Sequence, residues 1–530
     1  MENKKSLNIH WPITIVTLAI LFIMVACLAL IPDATINGIT GVYNIVMSRL
    51  TPFMLLFDIS LTGICLWLAC SKYGRIKLGE GKPEYSTFSY IAMMACAALA
   101  SASMFWSFTE WAYYMVHPGL NYEAFSVKAM ELSVGYAFFH WGFLAQCIYV
   151  GIGLVTAYAI YIKKIKSTRM STIALEMLGD VPGKKFIGML IDLIVCFTTL
   201  AGLGVSLGLG IPVIAGGISR VTGLAVTFPM QVGIVIVLAV IFSWSSFVGT
   251  GRGMKFLSDN TVKLLGVFLV YILIFGPANF IQRIFVTSIG TMIQNYSSMA
   301  FFADPIQQSG FTEAWTVFFI AFPLSYAGLM GVFVAKISKG RSIRNLIVCC
   351  MFGISIGTWV FFSVNSGLAI ECEMLGKFSI VNEVVNGDPY AGVFHILDTL
   401  PLGAVLAVVY TVCVAGFICT TLDSASLALA STTTKSLDED NNPSAALRIF
   451  WCVMLTLVPL AMMFSNSDFE TMKKMTVLVS MPMAVIILGL LWGMSRWISK
   501  DLREPGKLLL IKNKTDIIYQ NGRVEEELDT

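Results

Sequence analysis

Charge is what this sequence has least of. Asp, Glu, Lys and Arg make up 13% of its 530 residues, about half the roughly 25% of an ordinary soluble domain. Histidine is nearly absent, at four residues: His10, His117, His140 and His395. None of them belongs to an H-E-x-x-H or related metal pattern, and neither a G-x-S-x-G elbow nor a Walker loop occurs. The twelve cysteines form no C-x-x-C pair and show no zinc spacing. Most sit inside apolar runs, as at Cys65, Cys96, Cys196, Cys413 and Cys452, where a thiol serves as a small hydrophobe. Cys372 is the one expected to face an oxidising compartment, without an evident partner. No metal or catalytic constellation is expected, so the chain reads as not an enzyme. A net charge of +3 is too small to suggest nucleic acid. A channel would want a polar filter or a charged ring, and neither is present.

Hydrocarbon fills the space. The chain is 57% hydrophobic with mean hydropathy +0.78, which points to an all-α polytopic membrane protein, because backbone in lipid must satisfy its hydrogen bonds within each segment. Runs of about 20 apolar residues, enough to cross about 30 Å of hydrocarbon, predict twelve spans. They lie near 12–32, 52–71, 88–116, 134–162, 186–215, 226–248, 262–280, 312–335, 346–368, 402–432, 446–465 and 474–496. The N-terminal run lacks a small-residue cleavage site and reads as a first membrane helix. Residues 281–303 are less apolar and amphipathic, with Phe285, Ile289, Met292 and Ile293 among polar neighbours. That pattern suits a helix lying along the membrane surface.

Lys and Arg orient the spans. With the N-terminus inside, 28 of the 35 basic residues fall in inside segments, as the positive-inside rule requires. Both termini are therefore expected in the cytoplasm, in a cell (inner) membrane. The run KKIKSTR at 163–169 reads as a cytoplasmic loop against anionic lipid. Both tails are short, and no folded soluble domain fits between spans. The longest such segment lies around 369–401.

Three helices carry more specific patterns. Trp106, Glu110 and Tyr113 in the third span share one face, after the small residues of 96–103 that admit close approach. In the eighth, Trp315, Phe319, Phe322, Tyr326 and Met330 form an aromatic stripe flanked by Pro323 and Gly328. In the tenth, Phe417, Thr420, Thr421 and Ser424 line one side. Such stripes also serve plain helix packing. Pro323, however, frees a carbonyl at mid-depth, tolerated only where protein or a cavity satisfies it, and interrupted helices build transporter sites. Aromatic faces favour cations, quaternary ammonium groups above all. Asp58, Asp192 and Asp423 are further ionisable residues in or near spans, each able to pair with a neighbouring helix.

Taken together these residues resemble the betaine/carnitine/choline transporter family along nearly the whole chain. The resemblance rests on Lys-Pro-Glu-Tyr-Ser at 82–86, Met-Phe-Trp at 104–106 with Glu110, Phe-His-Trp-Gly at 139–142 and Ser-Leu-Gly-Leu-Gly at 206–210. It continues in Trp-Thr-Val-Phe-Phe at 315–319, Ala-Lys-Ile-Ser-Lys-Gly-Arg-Ser-Ile-Arg at 335–344 and Thr-Thr-Leu-Asp-Ser at 420–424. It implies two inverted five-helix repeats, of the amino-acid–sodium symporter type, preceded by two extra helices. The divisions would be 1–80 for the N-terminus and two peripheral helices, 81–280 and 304–500 for the repeats, 281–303 for the surface helix, and 501–530 for a short tail. It also implies homotrimers in the lipid bilayer.

By the same resemblance, the substrate is a quaternary ammonium compound such as glycine betaine, carnitine, γ-butyrobetaine or choline, carried by alternating access. The family's aromatic box falls on Tyr113, Trp141, Phe322 and Pro323. Tyr326 and Met330 would line the site, Trp106 stands beside it, and Trp315 would line the cytoplasmic approach. Here the family's tryptophan-rich run is replaced by Phe-Ile-Ala-Phe-Pro at 319–323. Gln146 stands where the carnitine antiporter has tryptophan and, with Glu110, would form a polar second shell. Sodium-coupled members are glycine-rich where this chain has Ala98 to Ala102. Met330 matches the methionine whose sulfur stands in for sodium in the sodium-independent carnitine/γ-butyrobetaine antiporter. Thr261 occupies the position of that antiporter's arginine, whereas Phe417, Thr420 and Thr421 match sodium-ligating positions of betaine symporters. The balance leans to sodium-independent exchange, with Na+ as a possible coupling ion and a sodium-coupled symporter as the alternative. A transport-inactive receptor on the same scaffold is the alternative of another class. The short tails argue against osmotic sensing.

Overall fold

Apolar runs in lipid must satisfy their backbone hydrogen bonds within the segment, so they become helices even where Pro52 and Pro212 fall inside them. The protein, seen as a computed structural model, is accordingly a bundle of helices. The structure describes residues 9–98, 101–248, 253–435, 443–464, 469–504, 507–511, 517–519 and 524–525. Lys4, Lys5 and most of the 501–530 tail thus lie outside the described residues, as do residues 99 and 100 of the stretch from Ala98 to Ala102.

The first helices are α1 (Trp11–Leu30), α2 (Pro32–Cys70), α3 (Thr87–Ala98) and α4 (Ser101–Val116). Next come α5 (Val127–Phe139), α6 (Ala145–Tyr161), α7 (Met170–Leu178), α8 (Lys184–Thr222), α9 (Phe228–Val248) and α10 (Gly253–Phe275). After α11 (Ala278–Ala300) the chain continues through α12 (Phe318–Ser325), α13 (Ala327–Ile337), α14 (Ile343–Val348) and α15 (Ser355–Met374). It ends with α16 (Ile380–Asn386), α17 (Pro389–Asp398), α18 (Gly403–Thr432), α19 (Ala445–Phe464) and α20 (Phe469–Asp501). A small antiparallel sheet of β1 (Leu509–Ile511), β2 (Ile517–Tyr519) and β3 (Val524–Glu525) follows.

Among the described residues, eight helices are long and apolar enough to cross a bilayer, and the bent pair α12/α13 makes nine. Shorter apolar helices cover Phe228–Trp244 and Ala445–Ala461, and α3 with α4 fills the remaining expected span. Two details differ from the sequence reading. The stretch before the second span is helical from Pro32, a residue whose missing N–H suits a first turn, and it docks through the Tyr43 hydroxyl on the Glu313 carbonyl at 2.9 Å. The expected long segment around 369–401 folds into α16 and α17, started by Ser379 and Asp388 side chains that accept the first free N–H groups.

The ten spans after α2 read as two sets of five, the first opening on α3 and α4 and the second on the bent pair α12/α13. These two opening spans run antiparallel. At one end Tyr114 of α4 packs on Trp315, just before α12, with ring centroids 5.0 Å apart. At the other, the Tyr90 hydroxyl of α3 meets the Ser338 hydroxyl, just after α13, at 2.7 Å. The second span of each set carries a π-helical bulge, at His140–Leu144 and at Cys349–Ile354. The Ser338 end is the side of the basic loops; the Trp315 end is the opposite side. Helix α11 buries one face, through Ile281, Ile284, Ser288 and Met292, and leaves the other exposed.

Candidate functional site

The eighth span breaks at Tyr326, where helix axes before and after differ by 59°. Pro323 cannot donate its backbone nitrogen, so the turn it sits in cannot close normally. The Ser325 hydroxyl takes the Phe322 carbonyl at 2.6 Å, and the Tyr326 N–H reaches back to the Pro323 carbonyl at 3.1 Å. The Tyr326 hydroxyl then pins the break to α8, donating to the Gly202 carbonyl at 2.9 Å and meeting the Ser206 hydroxyl at 2.7 Å. Gly202 is required for this approach: a Cβ there would lie 2.1 Å from Ser325 Oγ.

From the break a column of rings climbs toward the side opposite the basic loops. Phe322 meets Tyr326 edge-on at 5.4 Å between centroids and Trp141 at 6.5 Å. Trp141 also packs on Phe319 at 5.4 Å and Phe362 at 5.2 Å. Phe319 stacks below Trp315 at 6.4 Å. Trp315 in turn meets Trp106 at 5.4 Å and Tyr113 at 5.5 Å, and those two touch each other at 5.6 Å. Two aromatic clusters result, joined through the Trp315–Phe319 stack.

A buried polar knot holds them. Glu110, fully shielded from solvent, accepts the Trp141 indole N–H and the Tyr114 hydroxyl, each at 2.7 Å. The Tyr114 hydroxyl also lies 2.7 Å from His140 Nδ1, and His140 Nε2 lies 3.1 Å from the Thr316 hydroxyl. Adjacent residues His140 and Trp141 thus both face this knot. The π-helical bulge at 140–144, centred on the non-helical Gly142 (ψ −129°), permits it. The Trp141 carbonyl accepts the Gln146 amide at 3.1 Å and the Thr358 hydroxyl at 3.2 Å. Among the described residues no donor reaches the buried Gln146 Oε1.

The structure therefore separates the box expected on Tyr113, Trp141, Phe322 and Pro323. Trp141, Phe322 and Pro323 belong to the cluster near the break, and Tyr113 joins Trp106 and Trp315 above it. Trp315 is a correction. It was expected on the cytoplasmic approach, but the helix enters from the 301–311 loop and only its far end, after Ile337, reaches the basic loop at 338–344. Trp315 stands in the first turns, on the side opposite the basic loops. Met330 is buried one turn beyond the break, and its N–H caps the Tyr326 carbonyl at 2.9 Å.

At α18 the Thr420 and Thr421 hydroxyls both donate to the Phe417 carbonyl, at 2.9 and 2.8 Å. A hydroxyl that donates inward keeps its lone pairs outward. Thr261 packs against the neighbouring Gly416, where a Cβ would lie 2.2 Å from Thr261 Oγ1, so the four residues expected together do converge. The three intramembrane aspartates have structural partners: Asp192 pairs with Arg169, Asp423 with Arg448 at 2.6 Å, and Asp58 accepts the Cys147 thiol at 3.3 Å.

Several residues escaped the sequence reading as site members. Phe319 was visible in the stripe. His140 and Thr316 lay inside the quoted motifs at 139–142 and 315–319, and Tyr114 beside Tyr113, without being assigned a role; Phe362 carried no signal, since it reaches the site from α15 by burial alone. Lys473 counted only as a basic residue outside; it is 2% exposed, and its ammonium lies 3.8 Å from the Trp315 ring centroid.

Comparison with known proteins is consistent along the chain. Residues 12–503 match the family described as "BCCT, betaine/carnitine/choline family transporter". An Escherichia coli (strain K12) protein named "Uncharacterized transporter YeaV" is 37% identical over 83% of this chain and 92% of its own length. A "Carnitine transporter" of Acinetobacter baumannii is 33% identical over 97% of this chain and 92% of its own length. The "Glycine betaine transporter OpuD" of Bacillus subtilis is 29% identical over 90% of this chain and 92% of its own length.

Proposed function

Since the chain belongs to the betaine/carnitine/choline transporter family, we propose that it carries a quaternary ammonium compound across the cell membrane by alternating access. The observation that carries this reading is the ring column beside a broken helix, anchored by Glu110 through the Trp141 indole. Each desolvated ring offers a cation roughly 0.5–2 kcal/mol, and no free carboxylate is needed beside it. Trp141, Phe319 and Phe322 would hold the cation near the break, while Trp106, Tyr113 and Trp315 would receive it first. We take the two five-helix sets, 81–280 and 304–500, as the parts that move against each other. Both termini would lie in the cytoplasm, and the working unit would be a homotrimer.

Sodium-independent exchange is the reading preferred for coupling. The glycine-poor sequence from Ala98 to Ala102 and the sulfur of Met330 support it. The second reading, sodium symport, draws on three oxygens gathered at one turn of α18, those of Phe417, Thr420 and Thr421. Uptake of labelled glycine betaine into proteoliposomes, with and without internal substrate and with and without sodium, separates the two. Uptake that needs internal substrate and ignores sodium supports exchange. Uptake only under a sodium gradient, abolished by Thr420→Ala with Thr421→Ala, would replace it by symport. No uptake, with binding retained, would leave a receptor.

A further inference from the structure

The outer aromatic cluster already holds a cation of the protein's own. Lys473 enters from the second turn of α20, whose first residue, Phe469, packs on Trp106 at 5.6 Å between ring centroids. Its stem is buried, and its ammonium sits 3.8 Å from the Trp315 ring centroid and 5.2 Å from that of Phe318. A primary ammonium therefore covers the ring that a quaternary ammonium arriving from the side opposite the basic loops would meet early. Its bonded counter-charge is Glu470, at 3.0 Å, whose side chain is half exposed. Glu110 and Lys474 are the other charges that act on it.

Two like charges over adjacent faces of one cluster repel, more so in a dry site than in water. A ligand that is only a cation, choline for example, meets that repulsion in full. A zwitterion brings a carboxylate on the same molecule, and this can pair with the Lys473 ammonium in place of Glu470 while the methylated nitrogen occupies the rings. Such charge-assisted pairing in a desolvated place is among the stronger polar contacts. We propose that Lys473 is the residue that selects the substrate's charge type: it recognises the carboxylate of zwitterionic quaternary ammonium compounds and disfavours ligands that lack one. This inference rests on the transport reading above, and it names the class within it.

The test is binding of glycine betaine, carnitine, γ-butyrobetaine and choline to the purified full-length protein, followed by calorimetry. Wild type is expected to prefer the three zwitterions. Lys473→Met, which keeps the stem and removes the charge, should weaken the zwitterions roughly tenfold or more and strengthen choline. Lys473→Arg should keep the preference. Glu470→Gln, which frees the ammonium from its competitor, should tighten zwitterions and weaken choline further. An unchanged zwitterion-to-choline ratio in Lys473→Met and Glu470→Gln, or an equal loss of all four ligands, would overturn the inference while leaving the transport reading in place. If Lys473→Met does not fold, the Glu470→Gln ratio decides alone. Failure of wild type to bind any of the four would overturn the transport reading itself, and this inference with it.

Discussion

A carboxyl group shut away from water is tolerable when donors converge on it, and Glu110 receives two, from Trp141 and Tyr114. The bond to the indole edge fixes which way the ring face looks. Glu110→Gln keeps one acceptor oxygen, so one of the two donors would then face an amide N–H. Each lost bond in a buried place costs about 1–3 kcal/mol. Glu110→Gln is therefore expected to weaken substrate binding roughly tenfold or more, and Glu110→Ala further, toward the level of Trp141→Ala. Intrinsic tryptophan fluorescence titrated with betaine measures this. Wild-type affinity in Glu110→Ala would show that the indole needs no anchor. Nothing at the level of single residues announced this bond, because its partners are 31 positions apart and meet only through the bulge at 140–144.

At the scale of elements, the break in the eighth span depends on a neighbour as much as on Pro323. Gly202→Ala would place a methyl 2.1 Å from a hydroxyl already committed to the Phe322 carbonyl, an overpacking worth about 1–3 kcal/mol. Its melting temperature should fall, and Ser325→Gly in the same chain should restore part of the loss; an unshifted Gly202→Ala would mean that α8 does not brace the break. The loop before this helix has its own clamp. Asp304 accepts the Ser309 N–H at 2.6 Å and the Asn121 amide at 3.2 Å. Burial pushes its carboxyl up, but these bonds outweigh it and hold the pKa below the usual 3.8. The group is charged in the folded protein at lower pH than in the unfolded chain, so its stabilisation is complete above that value and fades as pH falls through the lowered one. The melting-point gap between wild type and Asp304→Asn should accordingly be constant from neutral pH to about pH 5 and close in strong acid; a gap that grows in acid would reverse the assignment. Elements were the most legible scale in the sequence. Hydropathy marked the spans, and Pro323 with its aromatic stripe marked the broken one. Position 315 misled because its spacing places it on the right face without saying which end of the helix faces which way. The burial of Lys473 was illegible for a related reason: a lysine beside a second lysine in an outer segment looks solvated until α20 is laid against Trp315.

On the scale of the whole molecule, the spans that open the two sets, α3 with α4 and α12 with α13, are joined on the side of the basic loops. Leu78 N–H donates to the Arg341 carbonyl and Gly340 N–H to the Leu78 carbonyl, both at 2.8 Å; Ile343 N–H reaches the Ile76 carbonyl at 2.9 Å. The segment after α20 adds a further bond, from Lys77 N–H to the Leu509 carbonyl at 2.9 Å. Arg341 lies over the Tyr90 ring, 3.9 Å from its centroid, and donates to the Tyr85 carbonyl at 2.6 Å. Hydrogen exchange read by mass spectrometry should find peptides over 76–78 and 340–343 opening together at one rate; independent rates would mean separate pieces. Three such backbone bonds across the two segments, at about 1 kcal/mol each, make spontaneous separation an event found in roughly one molecule in 150. Tied through these loops, the ends of α3 and α13 on the basic side would then move as a single door leaf, not a pair of shutters. On the alternating-access reading, a passage toward the basic side would open along the outer edge of that leaf, with the bend at Tyr326 as one of its hinges.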